Sequence, residues 1–221
     1  WELNNLNENE HEYTVCWVDC LSKTTRDLRG IYISGDHSRK KTIKKNRGER
    51  NISFPITPPF SLVNNYSMKM INNIYYYGNK DKKISNQHYR SFFFPLDVIQ
   101  SWNKAYGTDG FFQYQFVVPK NDSEISLNKI IQEIQTNGQI PALGVLKSFG
   151  SIKSKGMLSF PREGITMALD FTNKGLETLK FLDRLDKIVM EYGGALYPAK
   201  DARMSKDVFS INEAEVMEYY G

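Results

Sequence analysis

Between positions 109 and 197 the apolar residues switch between a period of two and a period near 3.6 in a set order, and few folds accept that order. Phe111 to Val118 is aromatic and β-branched and stops at Pro119, which predicts a strand. Leu127, Ile130, Ile131 and Ile134 then repeat at helical spacing, with Ser123 or Ser126 as the N-cap and Gly138 beyond the end. Ile140 to Phe149 and Gly164 to Phe171 read as strands, joined by a Gly/Ser/Lys-rich connection over 150–156. Leu179, Leu182, Leu185 and Val189 mark a second amphipathic helix stopped by Gly193-Gly194, and Ala195 to Tyr197 forms a short last strand.

The expected fold class is α+β: an antiparallel sheet with a ferredoxin-like β-α-β-β-α-β core and both helices on one face. The other face is then left to cover a ligand. Upstream, Tyr13 to Val18 and Gly30 to Ser34 are expected to extend the sheet as N-terminal strands. Helices are expected over about 62–77 and over 96–106, the latter opened by Pro95 and closed by Gly107. The polar stretch from Gly78 to Arg90 is expected to loop over the surface.

A chain of 221 residues suits one large domain, and it has no apolar run near the ~20 residues that span a bilayer. Cys16 and Cys20, the only two cysteines, stand four apart. They read as packing or loop thiols in a reducing compartment, since two thiols alone cannot complete a tetrahedral metal site. The formal charge of +4 is unevenly spread. Residues 36–50 hold Arg39, Lys40, Lys41, Lys44, Lys45, Arg47 and Arg50 against Asp36 and Glu49, a local +5 that leaves −1 elsewhere. This basic stretch is expected to be a mobile loop, with anionic lipid, nucleic acid or a phosphorylated substrate as alternatives to plain solvation.

The chain opens at Trp1 in a polar, acidic segment without a basic n-region. That fits a cytoplasmic protein, in contact with a membrane surface if the basic loop binds lipid, and a segment excised from a longer chain. No Gly-x-Gly-x-x-Gly, Walker or His-Glu-x-x-His sequence occurs, and His11, His37 and His88 have no catalytic-looking context. Lys200 and Arg203 follow the last strand directly, where an amine can face an anionic ligand. Arg203 reads as a brace on a carboxylate. On residues alone the chain describes half of a site.

Several blocks carry a family resemblance. Phe94-Pro95-Leu96-Asp97, Trp102-Asn103-Lys104-Ala105-Tyr106-Gly107 and the run Gly110 to Pro119 come in order with Tyr13 to Asp19, Arg29-Gly30 and Leu146-Lys147-Ser148-Phe149-Gly150. Leu158 to Pro161 leading to Ala168-Leu169-Asp170-Phe171, and Gly193-Gly194 leading to Ala199-Lys200-Asp201, complete the set. The chain resembles the substrate domain of FAD-linked oxidases of the vanillyl-alcohol-oxidase type, the group that includes the decaprenylphosphoryl-ribose and aldonolactone oxidases. The resemblance implies that residues 1–221 form a substrate-binding cap domain, with FAD bound mainly by a domain this chain lacks. The implied partners are that domain and a sugar or sugar-phospholipid substrate, oxidised by hydride transfer to the flavin. The fragment alone is expected to be inactive.

By position, the resemblance places Lys200 near the flavin and the substrate, as catalytic and cofactor-binding residue, and lines the sugar pocket with Gln115 and Lys147. The family's pocket cysteine corresponds to Ala168, an asparagine two residues earlier to Thr166, and a pocket tyrosine to Phe93. These departures bear on which sugar is taken. An aldonolactone oxidase is the nearby alternative. From another class comes an RNA-binding module, in which Phe112, Tyr114 and Phe116, alternating to one side of their strand, form a stacking platform.

Overall fold

The computed structural model describes residues 10–22, 28–39, 52–81, 83–95, 99–153, 155–156, 159–200 and 203–212. Most of the basic stretch at 36–50 lies outside them. Six strands form one sheet: β1 (Tyr13–Val18), β2 (Gly30–Gly35), β5 (Phe111–Val118), β6 (Pro141–Phe149), β7 (Gly164–Thr172) and β8 (Ala195–Leu196), in the order β2-β1-β6-β7-β5-β8. All its pairings are antiparallel. Between β5 and β6 runs helix α3 (Ser123–Asn137), and between β7 and β8 runs α4 (Leu176–Glu191). β7 inserts between β5 and β6, as a split β-α-β unit requires.

The period-2 pattern decides which face holds the core. Phe112, Tyr114, Phe116 and Val118 of β5 and Ile165, Met167, Leu169 and Phe171 of β7 point to the same side. They pack on Leu127, Ile130, Ile131 and Ile134 of α3 and on Phe181, Leu182, Leu185 and Val189 of α4. Each large side chain fully buried there contributes about 1.5–3 kcal/mol, so this layer dominates stability. It also overturns the RNA platform: Tyr114 and Phe116 are 1% and 0% exposed beneath the helices and cannot stack on bases. Cys16 and Cys20 are free thiols that join this core, and burial pushes them up to about 11 and about 12. They pack, as expected.

Three local expectations are corrected. Neither Ser123 nor Ser126 is an N-cap; both are buried, and their hydroxyls donate to the carbonyls of Lys120 (2.6 Å) and Ser123 (3.1 Å). A preceding turn of 3₁₀-helix, Lys120–Asp122, leads the chain into α3 instead. The helix expected over 62–77 is α1 (Asn65–Asn79), because the Asn64 and Ser67 side chains form a reciprocal capping box that sets its start.

The helix expected over 96–106 is absent from its described part. Ile99–Gln100 is a strand, β4, parallel to β3 (Ile52–Ser53); Ser101 then turns left-handed with φ 55°, and Trp102–Tyr106 is a 3₁₀-helix. The reason is packing. Trp102 and Tyr106 both lie against Phe111, at 5.1 and 4.3 Å between ring centroids, and a tight turn brings both onto that ring. Gly107 has φ 76°, and a Cβ there would sit 2.7 Å from the Phe60 backbone, so glycine is needed. The polar loop after α1 ends at a short helix, α2 (Tyr89–Phe93). A last helix, α5 (Lys206–Asn212), follows β8.

The face away from α3 and α4 is not uniformly open. α1 crosses to it and packs Tyr75 edge-on against Trp17 at 4.8 Å. Asn72 of α1 donates to the buried Asp19 carboxylate (2.6 Å), which also holds Arg29. Phe92 of α2 lies over Gly35 and Phe93 over Tyr13. The β1-β2 half is therefore covered, and the β6-β7-β5 half carries the residues of interest.

Candidate functional site

Strand register alone brings four of the expected site residues together. Lys147 of β6 pairs with Thr166 of β7, which pairs with Val117 of β5. In the next row Val145 pairs with Ala168 and Ala168 with Gln115. One row further, Leu143 pairs with Asp170 and Asp170 with Gln113. Antiparallel partners share a face, so Lys147, Thr166, Ala168, Gln115, Asp170 and Gln113 form one polar field on the side opposite the core.

Within that field the roles divide. The Thr166 side chain is buried, and its hydroxyl donates to the carbonyl of Phe116 (2.8 Å) while accepting from the Gln115 amide (3.1 Å). Thr166 thus aims Gln115 and is itself turned inward. Ala168 is a small, half-buried step between Val145 and Gln115. Phe93 lies apart from these rows, on α2, edge-to-face with Tyr13 at 4.9 Å. It stands beside the field and not in it.

Lys200 comes to the same side by a tight exit from β8. The Tyr197 N–H donates to the carbonyl of Gln115 (2.8 Å), and the Lys200 N–H donates to the carbonyl of Tyr197 (3.1 Å). Tyr197 is held by a stack on Phe160 at 4.7 Å, and the Lys200 amine sits 6.0 Å from the Tyr197 ring centroid. Loss of water around Lys147, and then the charge of Lys200, lower the Lys147 amine below the ordinary lysine range. Two ammonium groups that feel each other across an apolar floor favour an anion or a strongly polarised oxygen between them.

Arg203 is a brace, as its position suggested. Its guanidinium forks onto Asp186 with two bonds of 2.7 Å and reaches Asp183 at 3.1 Å. Tyr114 donates its hydroxyl to the same Asp186 (3.0 Å). The chain that carries Lys200 is thereby tied to α4 and, through Tyr114, to β5.

Asp170 is the residue that reading the sequence missed. It lies within a quoted block, but a lone acid in an apolar strand carries no motif. In the structure it is 4% exposed, accepts from the Gln113 amide (3.3 Å), and feels Lys200. Burial pushes its carboxyl up to about 6, against the opposing pull of Gln113 and Lys200. Its unfolded value is near 3.9. Between roughly pH 4 and 6 the native state binds the extra proton, so stability contributed at low pH is lost as pH rises through about 6. Asp170→Asn is expected to remove that slope, gaining on the order of 2 kcal/mol over wild type at pH 7 relative to pH 4. Urea midpoints of both proteins across pH 4–8 check this; parallel curves would remove the assignment.

A shallow cleft of about 300 Å³, lined by Val63, Asn64, Tyr66, Ile140, Thr172 and neighbouring residues, lies at the other end of the sheet and contains none of the expected site residues. Among the described residues no group of three His, Cys, Asp or Glu could hold a metal ion, and no helix is long and apolar enough to cross a membrane.

No protein-family model matches the chain. It is similar to the decaprenylphosphoryl-beta-D-ribose oxidase of Mycolicibacterium smegmatis, with 33% identity over 221 residues that cover 96% of this chain and 47% of that protein. That similarity supports the resemblance to FAD-linked oxidases read from the sequence. It is also similar, at 21% identity over 90% of its length and 57% of the relative's, to an uncharacterized protein in the mprA 5′ region of Streptomyces coelicolor. The chain thus spans about half the length of the curated relatives it matches.

Proposed function

We propose that this chain is the substrate-binding domain of an FAD-dependent oxidoreductase that oxidises a hydroxyl of a polyprenyl-phosphate-linked pentose, and that it works only with an FAD-binding domain outside this chain. The observation that carries the reading is the convergence of Lys147, Gln115 and Lys200 on one sheet face of a chain 33% identical to the ribose oxidase.

The donor set fits a flavin edge and a sugar. Lys147, Lys200 and the amides of Gln113 and Gln115 present hydrogen-bond donors around a floor of Val145 and Ala168. Such a face suits the acceptor-rich pyrimidine edge of the ring and the oxygens of a phosphorylated sugar. When bound, a flavin would accept the hydride that leaves the sugar carbon, with the hydroxyl proton passing to solvent. Lys200 holds positive charge where negative charge develops. Lys147 binds phosphate or hydroxyl oxygen, and Gln115, steadied by Thr166, orients a sugar hydroxyl. Replacement of the family's cysteine and asparagine by Ala168 and Thr166 leaves fewer polar groups in the pocket, which shifts sugar preference without removing the charge-bearing residues.

The test is the visible spectrum of the full reading frame during anaerobic addition of polyprenyl-phosphoryl pentoses and of aldonolactones. Bleaching by the first class is expected. Bleaching by lactones alone would replace the substrate, and a protein that cannot be loaded with FAD would end the flavin reading.

A further inference from the structure

α1 shows two faces of opposite character. Met68 and Asn72 are buried, and Tyr75 and Tyr76 meet Trp17 and Arg29. On the other side Tyr66, Met70, Ile74 and Tyr77 follow at helical spacing and are 87%, 60%, 68% and 64% exposed. Ile71 is half exposed beside them. Phe60, Leu62, Tyr89 and Phe94 add exposed apolar surface in the flanking segments. Isolated exposed apolar residues are ordinary, but a row of four along one helix marks a contact surface.

Charge identifies the partner. Within α1 the sequence has no acid at all. From Val63 to Pro95 it has Lys69, Lys80, Lys82, Lys83 and Arg90 against Asp81 alone, a balance of +4 that equals the formal surplus of the entire chain. Among these, Lys69, Lys80, Lys83 and Arg90 are exposed. A helix with an apolar stripe of Tyr, Met and Ile and a cationic surround is the pattern of an element that lies in the interface of an anionic bilayer. Tyrosine suits the headgroup level, where ring and hydroxyl meet different media.

We propose that α1 and its flanks dock this protein onto an anionic lipid surface, with the Tyr66-Met70-Ile74-Tyr77 stripe inserted at the headgroup boundary. The placement has a consequence for the site. α1 and α2 lean on Trp17 and Tyr13 of β1, the strand that pairs with β6 next to Lys147. A docked stripe therefore sets the Lys147 side of the open face beside the bilayer, where a sugar on a prenyl tail is presented. That delivery step rests on the function proposed above; docking itself does not.

The experiment is flotation of the full-length protein with vesicles of phosphatidylcholine alone and of phosphatidylcholine with an equal part of phosphatidylglycerol. Wild type is expected to float with the anionic vesicles and to bind neutral ones at least tenfold more weakly. The variant Met70→Gln/Ile74→Gln alters only exposed side chains, so its melting curve should match wild type while vesicle affinity falls about tenfold or more. Lys80→Glu/Lys83→Glu should abolish the anionic preference. Failure of wild type to bind, as would follow if another domain covers α1, overturns the proposal. Undiminished binding by the Met70/Ile74 variant overturns it equally. Turnover of a water-soluble, short-chain prenyl-phosphoryl pentose should be the same in wild type and this variant. If neither turns over any pentose while binding behaves as expected, the substrate reading fails and the docking surface stands.

Discussion

Replacing Lys200 with alanine in the full-length protein should slow flavin reduction by about 10²–10³-fold, the loss typical of one preorganised donor to developing charge. The fold should survive. Lys200 is exposed and leaves the sheet after β8, so its truncation is expected to change stability by no more than about 0.5 kcal/mol. Rapid-mixing measurement of the anaerobic bleach reads the first effect and a urea melt the second. A second readout is independent of turnover. Lys200 helps to hold the Lys147 amine low, so Lys200→Ala should let that amine move back up towards the ordinary lysine range. A titration of labelled lysine side chains followed by NMR reports it. Reduction at wild-type rate in the variant would remove Lys200 from the chemistry. An unmoved Lys147 would mean that the two amines do not share a site.

The core of this fold was legible because its signals are periodic. Phe111 to Val118 alternates faces, the Leu127-to-Ile134 and Leu179-to-Val189 stretches repeat at helical spacing, and the glycines at 138 and 193–194 punctuate them. Where tertiary packing outweighs local preference, the reading failed. The segment around Trp102 and Tyr106 has helical composition and a proline in front, yet both rings gain more by packing on Phe111 than by extending a helix. The covering of β1 by α1 was equally hidden. Nothing in the order of elements says that a helix outside the β-α-β-β-α-β core will cross to the opposite face and seat Tyr75 on Trp17.

The site divides the same way. Residue resemblance named Gln115, Lys147, Thr166 and Ala168, and strand register alone makes them neighbours, since each lies at a face-matched position of β5, β6 or β7. What the sequence withheld was the state of each group. That Thr166 is turned inward, and that Asp170 carries a raised carboxyl, follow from burial and hydrogen bonds no motif encodes.

Asp186→Ala should be among the most damaging single changes in the described chain. Asp186 is 4% exposed and accepts from both arms of the Arg203 fork and from Tyr114, whose hydroxyl lies within the core layer. Removing the carboxylate takes the two-bond fork from Arg203, leaving it the exposed Asp183, and takes a hydrogen bond from the Tyr114 hydroxyl; breaking a buried pair this way costs about 3–5 kcal/mol. Urea denaturation should show that loss. A double change, Asp186→Leu with Arg203→Met, separates the two explanations of it. If the cost is the broken charge pair, the double variant recovers most of the stability, because an apolar pair of similar size removes both charges and leaves only the Tyr114 hydroxyl without Asp186. If the cost is lost packing alone, it does not recover. The double variant also asks whether the brace matters for function. Arg203 fastens to α4 the stretch of chain that bears Lys200, so a stable protein with an untethered Lys200 should lose turnover while keeping its melt, and an unchanged rate would show that the exit from β8 alone sets the position of the amine.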